Sequence, residues 1–179
     1  KTIADMGIDT FDNADIYGNY TCESLVGNAL ALDPAFRNEI KIITKCGICI
    51  QSDKFPERQI QFYDYSYDYI VGQVEKSLQN LRTDRIDLLL LHRPSYLLDP
   101  VEVARAFDKL HADGKVLHFG VSNFYAHDFS MLQSYCSVPL ITNQIEVSPY
   151  CLEQFLTENL AGYAEYKTKV KYRLIPFIW

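Results

Sequence analysis

Asp12, Asp15 and Tyr17 fall within six residues in the stretch FDNADIYG (11–18), directly after an apolar run that ends at Phe11. Carboxylates and a phenol at the end of a strand make either a turn or a proton-transfer site. A free tyrosine titrates at about 10, so it donates a proton at neutral pH only if a nearby cation stabilises the phenolate. Lys45 ends the next apolar run and is placed to be that cation. A buried lysine needs an anion of its own, and Asp12 can supply it. His92 closes the run after that and can hydrogen-bond a substrate oxygen. Together the four could protonate an oxygen while another agent attacks its carbon.

Taken singly, each residue has a plainer reading. Asp12 can end a strand in a turn, and Asp15 reads as a loop carboxylate. Tyr17 can be a half-buried packing residue, Lys45 a solvated strand end and His92 a satisfied core histidine. Ser122 and Asn123 can open the following helix. Glu146 shares a strand face with Gln144 and can be a structural ion-pair partner. The plain readings must all hold at once, at the same end of successive strands, and that joint coincidence is the weak point.

The elements that would position these groups alternate. Strands are expected at 7–14, 40–47, 85–93, 116–124, 140–148 and 174–179. RIDLLLLHR (85–93) holds four consecutive leucines, as a strand covered on both faces requires. Helices are expected at 23–32 (with Leu25, Val26, Ala29 and Leu30 at helical spacing), near 67–82 (stripe Ile70, Val74, Leu78, Leu81), from Asp99-Pro100 to Asp113-Gly114, at 126–135 and through much of 150–170. Strand–helix alternation means a parallel sheet with right-handed crossovers. An open doubly wound sheet would carry a GxGxxG turn after its first strand, and none is present. Asp12, Lys45, His92, Ser122, Asn123, Gln144 and Glu146 instead gather at strand C-terminal ends, where a TIM barrel has its active site. Six strands are visible and closure needs eight. The expectation is therefore one barrel domain over 1–179, an incomplete (β/α)8 TIM barrel of about six βα units, truncated at both ends.

The bulk properties are those of an ordinary globular domain. The chain has 179 residues and a net charge of -6 with no basic run, which argues against nucleic acid. No stretch approaches the roughly 20 apolar residues of a membrane span. Five cysteines without a secretion signal suggest reduced thiols and a cytoplasmic location. Cys46 and Cys49 form a CxxC, but metal binding would want a second close pair, so packing is the simpler role and no metal is assigned. The aromatic cluster Phe62, Tyr63, Tyr65, Tyr67 and Tyr69 is either a pocket wall or a loop anchored on the rim by tyrosines whose hydroxyls reach water; the second reading is preferred because Tyr67 and Tyr69 already belong to a helix start.

DNADIYGNYTCESLVG, KIITKCG, DRIDLLLLHRP, GKVLHFGVSNF and TNQIEVSP, in that order, resemble the aldo-keto reductases, closest in tenor to the bacterial-type oxidoreductases of that family. The resemblance covers the chain from Gly7 to Trp179. It implies reduction of a small-molecule aldehyde or ketone with NADPH, with Tyr17 as general acid, Lys45 lowering its pKa, Asp12 holding Lys45 and His92 orienting the carbonyl. By the same resemblance Ser122, Asn123 and Gln144 hold the nicotinamide carboxamide. The family's first strand and the segments that hold the pyrophosphate and 2'-phosphate are absent. NADPH rather than NADH is thus a family expectation alone. Two other classes remain: a non-catalytic nucleotide-binding or interaction barrel of the same family, or an inactive truncated product; and a barrel glycosidase using Asp12 and Glu146, which leaves the leucine-His-Arg-Pro run unexplained.

Overall fold

The leucine run forms the middle of the sheet. The computed structural model describes residues 4–146, residue 157 and residues 162–169. The chain divides by packing into two units, Lys1–Gln144 and Ile145–Trp179, and the candidate site residues up to Gln144 lie in the first. There, β1 (Thr10–Asp12), β2 (Lys41–Cys46), β5 (Ile86–Leu91), β6 (Val116–Ser122) and β7 (Leu140–Gln144) form one sheet in that spatial order, every pairing parallel. Central β5 is flanked on both sides, so Leu89, Leu90 and Leu91 are fully buried. The strand expected over 174–179, and most of the helical stretch at 150–170, lie outside the described residues. The second unit contributes a helix over Tyr163–Lys169, which carries an i,i+4 ion pair between Glu165 and Lys169.

Helices α2 (Cys22–Leu32), α3 (Tyr67–Leu81), α4 (Pro100–Ala112) and α5 (Ala126–Tyr135) connect the strands; α1 is the short turn Tyr17–Tyr20. The expected stripe of α3 is buried: Ile70, Val74, Leu78 and Leu81 are at most 8% exposed. Ser66 caps it by accepting the Tyr69 N–H. Asp99 caps α4 by accepting the Val101 N–H at 2.9 Å, with Pro100 in the first turn. The main core sets Phe107, Leu110 and Leu132 from the helices against Leu89, Leu91, Phe119 and Val121 from the sheet.

Two expectations need correction. Of the expected α2 face, Leu30 is buried and Val26 packs beside it, but Leu25 and Ala29 do not face the core, and Glu23 and Gly27 are buried in their place. The reason is a close helix crossing. A Cβ on Gly27 would lie 2.0 Å from the Asn80 carbonyl oxygen, so the glycine side sits against α3 and turns Leu25 outward. Gly27→Ala is expected to destabilise the fold by about 1–3 kcal/mol through overpacking. Gly72, also helical but with nothing within 4 Å of its would-be Cβ, should gain about 0.5–1 kcal/mol on the same change. Urea midpoints of the two variants should move in opposite directions.

The second correction concerns the aromatic segment. β3 (Ile48–Cys49) and β4 (Phe62–Tyr63) pair antiparallel as a small separate hairpin. Phe62 and Tyr63 are half exposed, but Tyr65 is buried, so its hydroxyl is not an anchor in water.

Candidate functional site

Register brings the candidates to one face. Asp12 pairs with Ile43, Lys45 with Leu90, Leu90 with Gly120, and Ser122 with Gln144. Side chains alternate along strands, so Asp12, Lys45, Ser122 and Gln144 project from the same face at the strands' C-terminal ends. His92 follows β5 directly, and its N–H continues the ladder to the Cys46 carbonyl at 2.9 Å.

At the centre is the Lys45 ammonium, on a side chain only 2% exposed. It donates to Asp12 Oδ1 at 2.6 Å, to the Asn13 carbonyl at 3.0 Å and to the Tyr17 hydroxyl oxygen at 3.3 Å. An ammonium has three N–H donors, and three acceptors take them. Because the Tyr17 oxygen accepts from Lys45, its own proton is left to be given elsewhere. The Tyr17 residue is 37% exposed, so the hydroxyl is reachable. The Tyr17 turn is held by backbone bonds: the Asn13 N–H reaches the Ile43 carbonyl at 2.8 Å and the Asp15 N–H the Lys45 carbonyl at 3.0 Å.

His92 stands edge-on to Tyr17, with ring centroids 5.8 Å apart at 73°. It is buried, and burial first, then the charges of Lys45 and Arg93, lower its pKa from 6.5 to about 4. The imidazole is therefore neutral at physiological pH. Between those two values the unfolded chain binds a proton that the folded chain refuses, so stability falls as pH drops from about 6.5 towards 4. His92→Gln, which cannot titrate, is expected to narrow the gap between urea midpoints at pH 7 and pH 5. An equal gap in both proteins would mean that His92 is not the group responsible.

Ser122 is buried, and its hydroxyl accepts from Asn123 Nδ2 at 3.2 Å. Asn123 adopts a left-handed backbone (φ 56°), and its N–H reaches the Gln144 carbonyl at 3.0 Å. Gln144 Nε2 lies 3.4 Å from Asp12 Oδ2, so the two ends of the site meet although their strands are the outermost of the five. Three short polar side chains next to one another offer both donors and acceptors, the chemistry that a primary carboxamide requires. Glu146 falls beyond the end of β7, exposed and in the second unit.

Sequence reasoning missed Asn143, whose side-chain amide donates to the Phe124 carbonyl at 2.8 Å and accepts the Phe124 N–H at 3.3 Å, pinning the Ser122–Asn123 corner. The signal available was a second amide residue beside Gln144. Asp15 lies in a turn, as expected of a loop carboxylate, but its burial was not foreseen. That residue is 3% exposed; Oδ1 accepts the Ile16 N–H at 2.7 Å, while Oδ2 has no hydrogen-bond partner among the described residues. Burial first, and the Glu23 carboxylate second, push its carboxyl well above the usual range. Glu23 itself is buried and held by Thr44 and Asn80. Cys46 and Cys49 are 1% exposed, and burial raises both thiols, in keeping with packing roles. Among the described residues no helix is long and apolar enough to cross a membrane.

A model of the aldo/keto reductase family matches residues 1–171. The chain belongs to the aldo/keto reductase family. It is 54% identical over 156 residues to the oxidoreductase YcsN of Bacillus subtilis, covering 87% of this chain and 52% of that one. It is 44% identical over 174 residues to a 6-dehydroglucose reductase of Agrobacterium fabrum, covering 97% and 57%. Among solved structures, the glycerol dehydrogenase AKR11B4 of Gluconobacter oxydans superposes with a TM-score of 0.71 at 33% identity, over 92% of this chain and 48% of that one. The chain thus spans about half the length of the curated aldo/keto reductases it matches. The family fold is a (β/α)8 barrel, and the parallel sheet with its connecting helices is part of one.

Proposed function

We propose that this chain carries the proton-transfer half of an aldo/keto reductase site, reducing the carbonyl group of an aldehyde or ketone to an alcohol, within one barrel domain over 1–179. The observation that carries the reading is the buried Lys45 ammonium shared between Asp12 Oδ1 and the Tyr17 hydroxyl oxygen. A barrel that only binds nucleotide has no use for a buried cation aimed at an exposed phenol.

When bound, a reduced nicotinamide nucleotide supplies the hydride. Ser122, Asn123 and Gln144 would hold its carboxamide, and the family points to NADPH. The chain's own part is the oxygen. Tyr17 and neutral His92 hydrogen-bond the substrate oxygen and orient it. As negative charge grows there, the Tyr17 proton moves to it and completes the alcohol. The phenolate left behind faces the ammonium 3.3 Å away, and Asp12 keeps that ammonium in place. The neutral imidazole matters here, since it donates a hydrogen bond without competing as an acid.

The direct test is NADPH and NADH oxidation by the complete gene product. The assay uses a panel of aldehydes, ketones and carbonyl sugars, the last because a relative is named for 6-dehydroglucose. Turnover with at least one carbonyl class is expected. No turnover with either nucleotide between pH 5 and 9 would end the proposal.

A further inference from the structure

Tyr65 belongs to the aromatic cluster, and the proton-transfer scheme does not use it. Its ring packs against Gly47, where a Cβ would come within 1.9 Å of Tyr65 Cε1; Gly47 also has φ +110°. The approach is set by the β3–β4 hairpin and by the Asp64 N–H on the Gly47 carbonyl at 3.0 Å. The hydroxyl reaches past β2 to the end of β5. There it donates to the Arg93 carbonyl at 2.5 Å and accepts the Arg93 N–H at 3.2 Å. A hydroxyl has one donor and two acceptor sites, so both bonds can form together. Burial pushes this phenol's pKa upward, which keeps its proton available to the carbonyl.

The consequence falls on the residue before Arg93. The His92 N–H is bound to the Cys46 carbonyl at 2.9 Å, and the next N–H, that of Arg93, is bound to Tyr65. The peptide groups on both sides of the His92 Cα are thus tied, one by the sheet and one by Tyr65. We propose that Tyr65 is a positioning residue for His92, fixing the imidazole against Tyr17 through the backbone of Arg93. The inference rests on the reductase reading of the site.

The test is a double-mutant cycle in the complete gene product, with NADPH and 4-nitrobenzaldehyde as the probe reaction. Tyr65→Phe keeps the ring against Gly47 and removes only the hydroxyl. Its kcat/KM should fall about 10-fold, as expected for losing two modest hydrogen bonds at a positioning site. Its NADPH Kd, by fluorescence, should stay within about twofold. In a His92→Ala background the same change should cost almost nothing further, because the residue being positioned is gone. A structural role for Tyr65 would instead multiply through both backgrounds, and that result overturns the inference.

A second readout does not depend on turnover. The His92 ring signal and its titration midpoint, followed by NMR, should shift in Tyr65→Phe; an unmoved signal overturns the inference. If His92→Ala alone leaves kcat/KM unchanged, the reductase reading of His92 fails instead. If His92→Ala is damaging and Tyr65→Phe is silent, only the role of Tyr65 fails.

Discussion

Tyr17→Phe is expected to lower kcat for carbonyl reduction by about 10²–10⁴-fold, the span typical of removing a general acid, while nicotinamide nucleotide still binds. The substitution removes one oxygen and leaves the ring beside His92. That oxygen is the group in the cluster with a proton to spare, since the three Lys45 N–H donors are all engaged and the Tyr17 oxygen is one of their acceptors. Little fold stability should be lost, because the Tyr17 residue is 37% exposed and water can replace its contacts. Steady-state kinetics with a nucleotide titration provide the check. A variant retaining more than about half of the parental kcat would remove Tyr17 from the mechanism.

Lys45→Met should be nearly as damaging, with an expected loss of about 10²–10³-fold in kcat, comparable to deleting one preorganised donor from a developing charge. Methionine is unbranched and only one heavy atom shorter than lysine, so most of the buried volume is kept. What disappears is the positive charge next to the Tyr17 oxygen. The usual objection is that breaking a buried ion pair destabilises the fold and loses activity for that reason alone. Here the partner, Asp12, has a side chain 41% exposed, so water can take over the carboxylate and the fold should survive. Parallel measurement of kcat and the urea midpoint separates the two effects. A kcat within a few-fold of the parent, or a kcat loss fully explained by unfolding, would break the proposed link from Asp12 through Lys45 to Tyr17.

The elements were largely legible in the amino-acid order because their signals are local. Apolar runs located five strands of the sheet, spacing at a 3.6-residue period located the α3 stripe, and Asp99-Pro100 marked the start of α4. Asp12, Tyr17, Lys45, His92, Ser122, Asn123 and Gln144 could be named as candidates because each ends or follows an apolar run. Strand ends on one side of a parallel sheet must converge.

Tertiary structure alone decided the rest, and in each case the cause is a contact between residues far apart in the chain. Leu25 and Ala29 have the right spacing for a buried face, yet the approach of Gly27 to the Asn80 carbonyl turns α2 by part of a revolution and leaves them outside. No local pattern encodes where one helix crosses another. Asp15 reads as a loop carboxylate in sequence but is buried because the Tyr17 turn folds onto the ends of β2 and α2. The polar and aromatic stretch after β2 offered no clear alternation, so its hairpin emerged only from pairing with Ile48–Cys49. The sequence by itself determined which side chains stand at the strand ends and what chemistry they could share. Sheet register and helix crossing determined which of them touch, since a hydrogen bond such as that of Tyr65 to Arg93 depends on angstrom-scale positions set by the packing of the entire unit.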